Sequence, residues 1–204
     1  MSQVNKVIIL GLTGKKRSGK DTVADYLINN YGFTKLSFAE PLKKVCVELF
    51  DLSDNQVNGS DKEKEIVDSR WGYSARQLMQ IIGTELFRNN LPKYMRLGYQ
   101  LADNPADNSI NIWVHILHKK IISLQEKGIN YFVISDVRFL DEINLIQSLG
   151  GYIIKLNRVN DSNDTHISET ELDNTKFEYN IENNGTIDEL YKSIKYIVER
   201  FERF

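Results

Sequence analysis

Apolar positions along the chain recur with two periods. Short runs at Val7–Leu10, Phe33–Phe38, Tyr131–Ser135, Tyr152–Leu156 and Tyr179–Ile181 are unbroken or alternate, and predict strands. The first is expected over residues 4–12, buried on both faces. Between the runs, apolar residues fall three and four apart, the spacing that lines one face of a helix. Val23, Ala24, Leu27 and Ile28 mark a helix from about Lys20 to Asn30, closed by Gly32. Leu42, Val45, Cys46 and Leu49 mark a second, with Pro41 in its first turn. Later stripes are Leu78, Ile81, Ile82, Leu86, then Trp113, Ile116, Leu117, Ile121, Leu124, and Leu140, Ile143, Ile146, Leu149. Leu190, Ile194, Ile197, Val198 and Phe201 make a closing helix. Ser74…Gln77 and Thr186…Glu189 are capping boxes at two of the starts. Strands alternating with helices predict an α/β domain: a parallel sheet with helices on both faces.

Three segments break the alternation. Residues 51–69 are polar, and read as a solvated loop with a short surface helix; a mobile substrate flap is the alternative. The stretch from Pro92 to Asp107 is rich in turn residues, and 158–177 is a polar, glycine-free excursion that reads as a lid. No internal repeat is present. A chain of 204 residues is expected to form one domain carrying these small excursions.

Composition narrows the chemistry. Charged residues make up 26% and apolar ones 41%, ordinary for a globular protein, and the net charge of -2 leaves no general basic field for a nucleic-acid polymer. A single cysteine, Cys46, excludes an internal disulfide and a cysteine zinc site, and its place in an apolar stripe predicts packing. His115 and His118 have no carboxylate close by, and are read as surface or packing residues. With neither a leader pattern nor a run of ~20 apolar residues, no membrane contact and a cytoplasmic setting are expected.

The most informative stretch is Gly14-Lys-Lys-Arg-Ser-Gly19-Lys20-Asp21-Thr22, which follows the first strand and opens the first helix. Gly-x-x-x-x-Gly-Lys in that context is a phosphate-binding loop: its backbone N–H groups and the helix N-terminus face phosphate oxygens. Lys20 is expected to bridge the β- and γ-phosphates of a nucleoside triphosphate. Asp21 stands where a metal-touching hydroxyl is usual, and is expected on the Mg²⁺ side; Thr22 is expected at the α-phosphate. Lys15, Lys16 and Arg17 add charge at the transferred group. Asp136, beyond a buried strand, is placed to hold Mg²⁺ or its waters. Arg138 follows at the strand end, where open α/β sheets bind ligands; an ion pair with Asp141 or Glu142 is the alternative.

Arg76, Gln80 and Thr84 share a polar helix face, and Gly83 among them costs helix stability, which predicts close approach by a ligand or backbone. No Asn-Lys-x-Asp guanine motif is present, which argues against a GTPase. A small kinase fits: a donor loop, Mg²⁺, and a second pocket with arginines, among them Arg76, Arg138 and candidates Arg70, Arg88 and Arg158. A phosphate acceptor is already ionised, so no general base is needed.

Several motifs together carry a resemblance. They are Lys16-Arg-Ser-Gly-Lys-Asp-Thr22 with Ala24-Asp25, Pro41-Leu-Lys43, Ser74-x-Arg76-x-Leu-Met-Gln80-x-x-Gly83-Thr84-Glu85, Asp136-x-Arg138, Asn163-Asp-Thr-His166-Ile-x-Glu169 and Ile181-x-Asn183-x-Gly185-Thr. With these, the chain resembles the bacteriophage-type deoxynucleoside monophosphate kinases nearly end to end. The resemblance implies a three-layer P-loop NTPase fold, with a monophosphate-binding excursion over 51–110 and a lid over 158–177. It implies transfer of the ATP γ-phosphate to a deoxynucleoside monophosphate for DNA precursor synthesis. Gly14, Lys15, Lys16, Ser18, Gly19, Lys20, Asp21 and Thr22 would hold ATP, with Arg158 from the lid and Asn183 near the adenine. Ser37, Lys43, Arg76, Gln80, Gly83, Thr84 and Glu85 would line the monophosphate pocket. Lys20, Arg17, Asp136 and Arg138 would be catalytic, with Asp21 and Asp136 toward Mg²⁺. The resemblance also admits a homodimer and a viral source. A phosphomevalonate-kinase-like enzyme shares the loop and the Ser-Asp-x-Arg strand end; a P-loop ATPase without an acceptor is a third reading.

Overall fold

A computed structural model describes residues 6–94, 111–159 and 166–202. Most of the turn-rich Pro92–Asp107 stretch and residues 163–165 of the Asn-Asp-Thr-His pattern lie outside the described residues. The described residues fall into two compact units, one running up to Ser37 and again from His118, the other from Phe38 to Leu117.

The first unit is built on a five-stranded sheet. Its strands are β1 (Ile8–Thr13), β2 (Thr34–Leu36), β5 (Tyr131–Ile134), β6 (Tyr152–Asn157) and β7 (Tyr179–Glu182). They are ordered β2-β5-β1-β6-β7, every pair parallel. All six residues of the central β1 are buried, as its unbroken apolar run requires. The helices of this unit are α1 (Lys20–Tyr31), most of α6 (Ile112–Gln125), α7 (Leu140–Ser148), the short α8 (Ile167–Thr170) and α9 (Ile187–Glu202). Leu10, Leu12, Leu27, Val133, Leu156 and Ile194 form its centre, each at most 1% exposed. Gly32 closes α1 in the left-handed region, its N–H returning to the Ile28 and Leu27 carbonyls.

The second unit holds α2 (Ala39–Phe50), α3 (Asp54–Asn58), α4 (Asp61–Glu65), a hairpin of β3 (Val67–Asp68) and β4 (Tyr73–Ser74), and α5 (Ala75–Gln80). It packs around Cys46, Leu52, Val57, Ala75, Leu78 and Ile82. Two expectations are corrected here. Residues 51–69 are not a solvated loop with a single helix. Ser53 with Gln56 and Ser60 with Glu63 form two capping boxes that start α3 and α4. The expected helix after Ser74 also changes winding: Ile81–Asn90 is a π-helix. Its i→i+5 bonds abandon the 3.6-residue phase, and Leu86 is exposed instead of facing the core. Leu49 and Leu140 also leave their stripes, because each lies at a helix end.

Gly83 is explained by a side chain: a Cβ there would stand 2.5 Å from Leu42 Cδ2. The Trp113 indole N–H donates to the Gly83 carbonyl at 2.9 Å, which satisfies a backbone group within the π-helix. Cys46 is fully buried, and burial pushes its thiol up to about 11, so it packs and stays unreactive. His118 is buried, as its packing reading requires.

Candidate active site

The loop between β1 and α1 curls because three of its residues take positive φ. Gly14 has φ 134°, and a Cβ there would lie 2.2 Å from the Leu156 carbonyl oxygen. Gly19 has φ 103°. Between them Arg17 takes φ 63°, a left-handed conformation that costs a non-glycine residue energy and clusters at ligand clamps. Gly19 is the N-cap of α1 and supplies no side-chain cap, and the positive end of the helix there suits an anion. The Lys20 ammonium folds into the curl and donates to the Gly14 carbonyl and, at 2.8 Å, to the Lys15 carbonyl. Ser18 is 1% exposed, and its hydroxyl has no partner among the described residues. A buried hydroxyl without a partner, a curled backbone and a lysine at the centre suit a bound phosphate group.

Beside the loop lies a cavity of about 310 Å³, lined by Gly14, Lys15, Arg138, Lys155, Arg158 and Asp173 among others. Arg138 reaches it from the turn after β5, where its Nη1 donates to the Ser168 carbonyl at 3.3 Å. Its backbone N–H donates to the buried Glu142 carboxylate at 2.8 Å, and the N–H of Phe139 does so at 3.2 Å. Glu142 therefore holds the turn that carries Arg138. Lys15 pairs with Asp173 at 3.2 Å. Lys155 sits opposite Thr13 in the β1–β6 register and lies over the Phe177 ring at 5.6 Å. The expected set did not contain Lys155. Its signal is a lone cation in the otherwise apolar Tyr152–Leu156 run.

The two carboxylates expected near Mg²⁺ have separate partners. Asp136 Oδ2 accepts from the Ser37 hydroxyl at 2.7 Å. Asp21 is exposed, pairing with Lys35 at 2.9 Å. Among the described residues no group of three or more His, Cys, Asp or Glu stands together as a metal site. Mg²⁺ at nucleotide sites usually takes one or two carboxylates plus substrate phosphates, which these residues fit. Thr22 is half-buried in the first turn of α1, and Lys16 is half-buried in the loop. Asn183 is buried after β7, and its amide Nδ2 donates to the Ser18 carbonyl at 2.9 Å; Asn184 Oδ1 accepts from the Val159 N–H.

In the second unit Arg76 is 16% exposed and gripped by two acids of α4. Its Nη2 is 2.8 Å from Asp61 Oδ1 and its Nε 2.6 Å from Glu65 Oε1. Asp61 and Glu65 were not foreseen; both lie in the segment read as a solvated loop. Lys43 donates to Asn58 Oδ1 at 2.9 Å. Thr84 is buried, Gln80 half-buried, and Glu85 is exposed beside Asn89. Arg70, an acceptor candidate, bridges Asp68 and Asp51 instead.

Residues 6–68 and 53–194 match the deoxynucleotide monophosphate kinase family. The chain belongs to that family. A relative from Acanthamoeba polyphaga mimivirus, assigned to the same activity, is 42% identical over 191 residues, covering 92% of this chain and 94% of its own. The deoxynucleotide monophosphate kinases of Enterobacteria phage T4 and Escherichia phage RB69 are 23% and 24% identical, each spanning at least 92% of this chain and 97% of their own. A dephospho-CoA kinase from Campylobacter jejuni superposes with TM-score 0.50 at 14% identity, covering 96% of this chain and 97% of its own, which matches the fold alone. The protein is thus a phosphotransferase that uses ATP and a deoxynucleoside monophosphate. No helix among the described residues of this kinase is long and apolar enough to cross a membrane.

Proposed function

We propose that the kinase binds ATP on the Gly14–Thr22 loop and passes its γ-phosphoryl group to the phosphate of a deoxynucleoside monophosphate held by Arg76. The observation that carries this reading is the loop: two left-handed glycines, a central lysine and a buried unpartnered serine hydroxyl, next to a cavity lined by four cations. Lys20 would leave the Gly14 and Lys15 carbonyls for the β- and γ-phosphates. Lys15, Arg138, Lys155 and Arg158 would spread the charge of the transferring group, with Arg17 at the loop tip. Mg²⁺, held by Asp136 and by Asp21 through water, would neutralise the donor phosphates when bound.

The acceptor oxygen is ionised at neutral pH, so positioning and charge neutralisation suffice, and no general base is required. Arg76 supplies a fork suited to a phosphate, aimed by Asp61 and Glu65. Gln80, Gly83, Thr84 and Glu85, with Lys43, would frame the rest of the nucleotide.

A coupled ADP-release assay tests this directly. ATP and Mg²⁺ are supplied with each deoxynucleoside monophosphate, each ribonucleotide and mevalonate 5-phosphate. Stimulation by one or more deoxynucleotides is expected. Stimulation by mevalonate 5-phosphate alone, or release indifferent to every acceptor, would overturn the acceptor assignment.

A further inference from the structure

We infer that Asn183 is a positioning residue for the donor loop: its side-chain amide fixes the Ser18–Gly19 peptide so that the Gly19 N–H faces the ATP phosphates. The inference rests on the donor-loop reading above and assigns Asn183 a role other than contact with adenine.

Asn183 follows β7, the edge strand, yet its Nδ2 reaches back across the fold to donate to the Ser18 carbonyl at 2.9 Å. A carbonyl can only accept, so the nitrogen of the amide, and not its oxygen, must face Ser18. The residue is rigidly held: it is 8% exposed, and its own backbone N–H donates to the Asn157 carbonyl at 2.7 Å. Asn157 in turn donates to Glu182 Oε1 at 2.8 Å, joining β6 to β7 just before Asn183.

The consequence follows from peptide geometry. The Ser18–Gly19 bond is trans, so the Ser18 C=O and the Gly19 N–H point in opposite directions. Anchoring the carbonyl on Asn183 turns the N–H away from Asn183. In a loop whose N–H groups cradle phosphate, that one donor is aimed without help from the ligand. The contact also explains Gly19. A Cβ at position 19 would fall 2.5 Å from Asn183 Nδ2, so the loop must have glycine there for the amide to approach. Ser18, whose carbonyl is used in this way, keeps its buried hydroxyl without a partner among the described residues.

Adenine contact and loop positioning predict different losses. An adenine contact matters for the base; a peptide strut matters for the phosphates whatever base is attached. The test uses the full chain as wild type, Asn183→Ala and Asn183→Asp. It measures KM for ATP, KM for the deoxynucleotide, kcat, thermal midpoint, and Kd for inorganic tripolyphosphate. Loss of one buried hydrogen bond should raise KM for ATP and Kd for tripolyphosphate together, by about tenfold, with KM for the deoxynucleotide unchanged. Asn183→Asp keeps the volume while setting oxygen against oxygen, and should match or exceed the alanine effect. It also serves if the alanine variant does not fold. Weakened ATP binding with unchanged tripolyphosphate affinity would overturn the inference in favour of adenine contact. Unchanged constants throughout would overturn it outright, as would equal losses for both substrates with a large fall in thermal midpoint. Failure of the wild type itself to bind tripolyphosphate or ATP would instead remove the donor-loop reading.

Discussion

The Ser37 hydroxyl donates to Oδ2 of Asp136 across 2.7 Å, joining the end of β2 to the turn after β5. The bond orients a carboxylate proposed to face Mg²⁺. In metal sites, partners that orient a ligand are typically worth 10–100-fold in affinity or activity. Ser37→Ala should therefore raise the Mg²⁺ concentration needed for half-maximal rate, by about tenfold, while the KM for ATP measured at saturating Mg²⁺ changes little. An unaltered Mg²⁺ requirement in Ser37→Ala would remove this role for Asp136.

Lys20→Ala should lower kcat by at least about a hundredfold, because it deletes charge aimed at the transferring group. The same substitution also empties the curl of the loop, where the ammonium now meets the Gly14 and Lys15 carbonyls. A modest fall in thermal midpoint is expected alongside. Retention of normal kcat would refute the loop assignment.

Asp68 makes a pH prediction. The Arg70 guanidinium first, then the Gln56 amide and the Arg70 backbone N–H, hold its carboxyl well below the usual carboxylate range. A depressed folded-state pKa stabilises the fold above the unfolded value, about 3.9 for aspartate, and that stability is lost as pH falls toward the folded value. The contribution is thus full at neutral pH and disappears only in strong acid. Asp68→Asn should be less stable than wild type at pH 7, with the gap in thermal midpoint closing below about pH 4. Parallel pH–stability curves would contradict this reading of the Arg70–Asp68–Gln56 cluster.

The sheet was legible because its strands carry apolar runs, unbroken where a strand such as β1 is buried on both faces and alternating at the edge, as in β7. β1, β5, β6 and β7 all lie where those runs stand. The donor loop was legible for a related reason: Gly14 and Gly19 occupy backbone positions that other residues resist, and chain order alone brings them to one turn. Lys155 was not, since its place in the cavity depends on β6 lying beside β1, a pairing between residues more than a hundred apart. The 51–69 segment failed differently. Ser53…Gln56 and Ser60…Glu63 repeat the spacing recognised at Ser74…Gln77, but the helices they start are only five residues long and carry little apolar stripe. Periodicity outweighed capping where capping was the better guide. The π-helix from Ile81 to Asn90 is masked by its own apolar residues: Ile81, Ile82 and Leu86 read as an ordinary helical stripe, and the wider winding leaves Leu86 exposed.

The two-site account is tested most directly by the kinetics of Arg76→Ala. Arg76, set between Asp61 and Glu65, is assigned to the acceptor phosphate alone. Loss of a charge-assisted contact should raise KM for the deoxynucleoside monophosphate by about ten- to a hundredfold, while KM for ATP stays within about threefold. The opposite pattern, with ATP weakened and the acceptor untouched, would contradict the account and place Arg76 on the donor side.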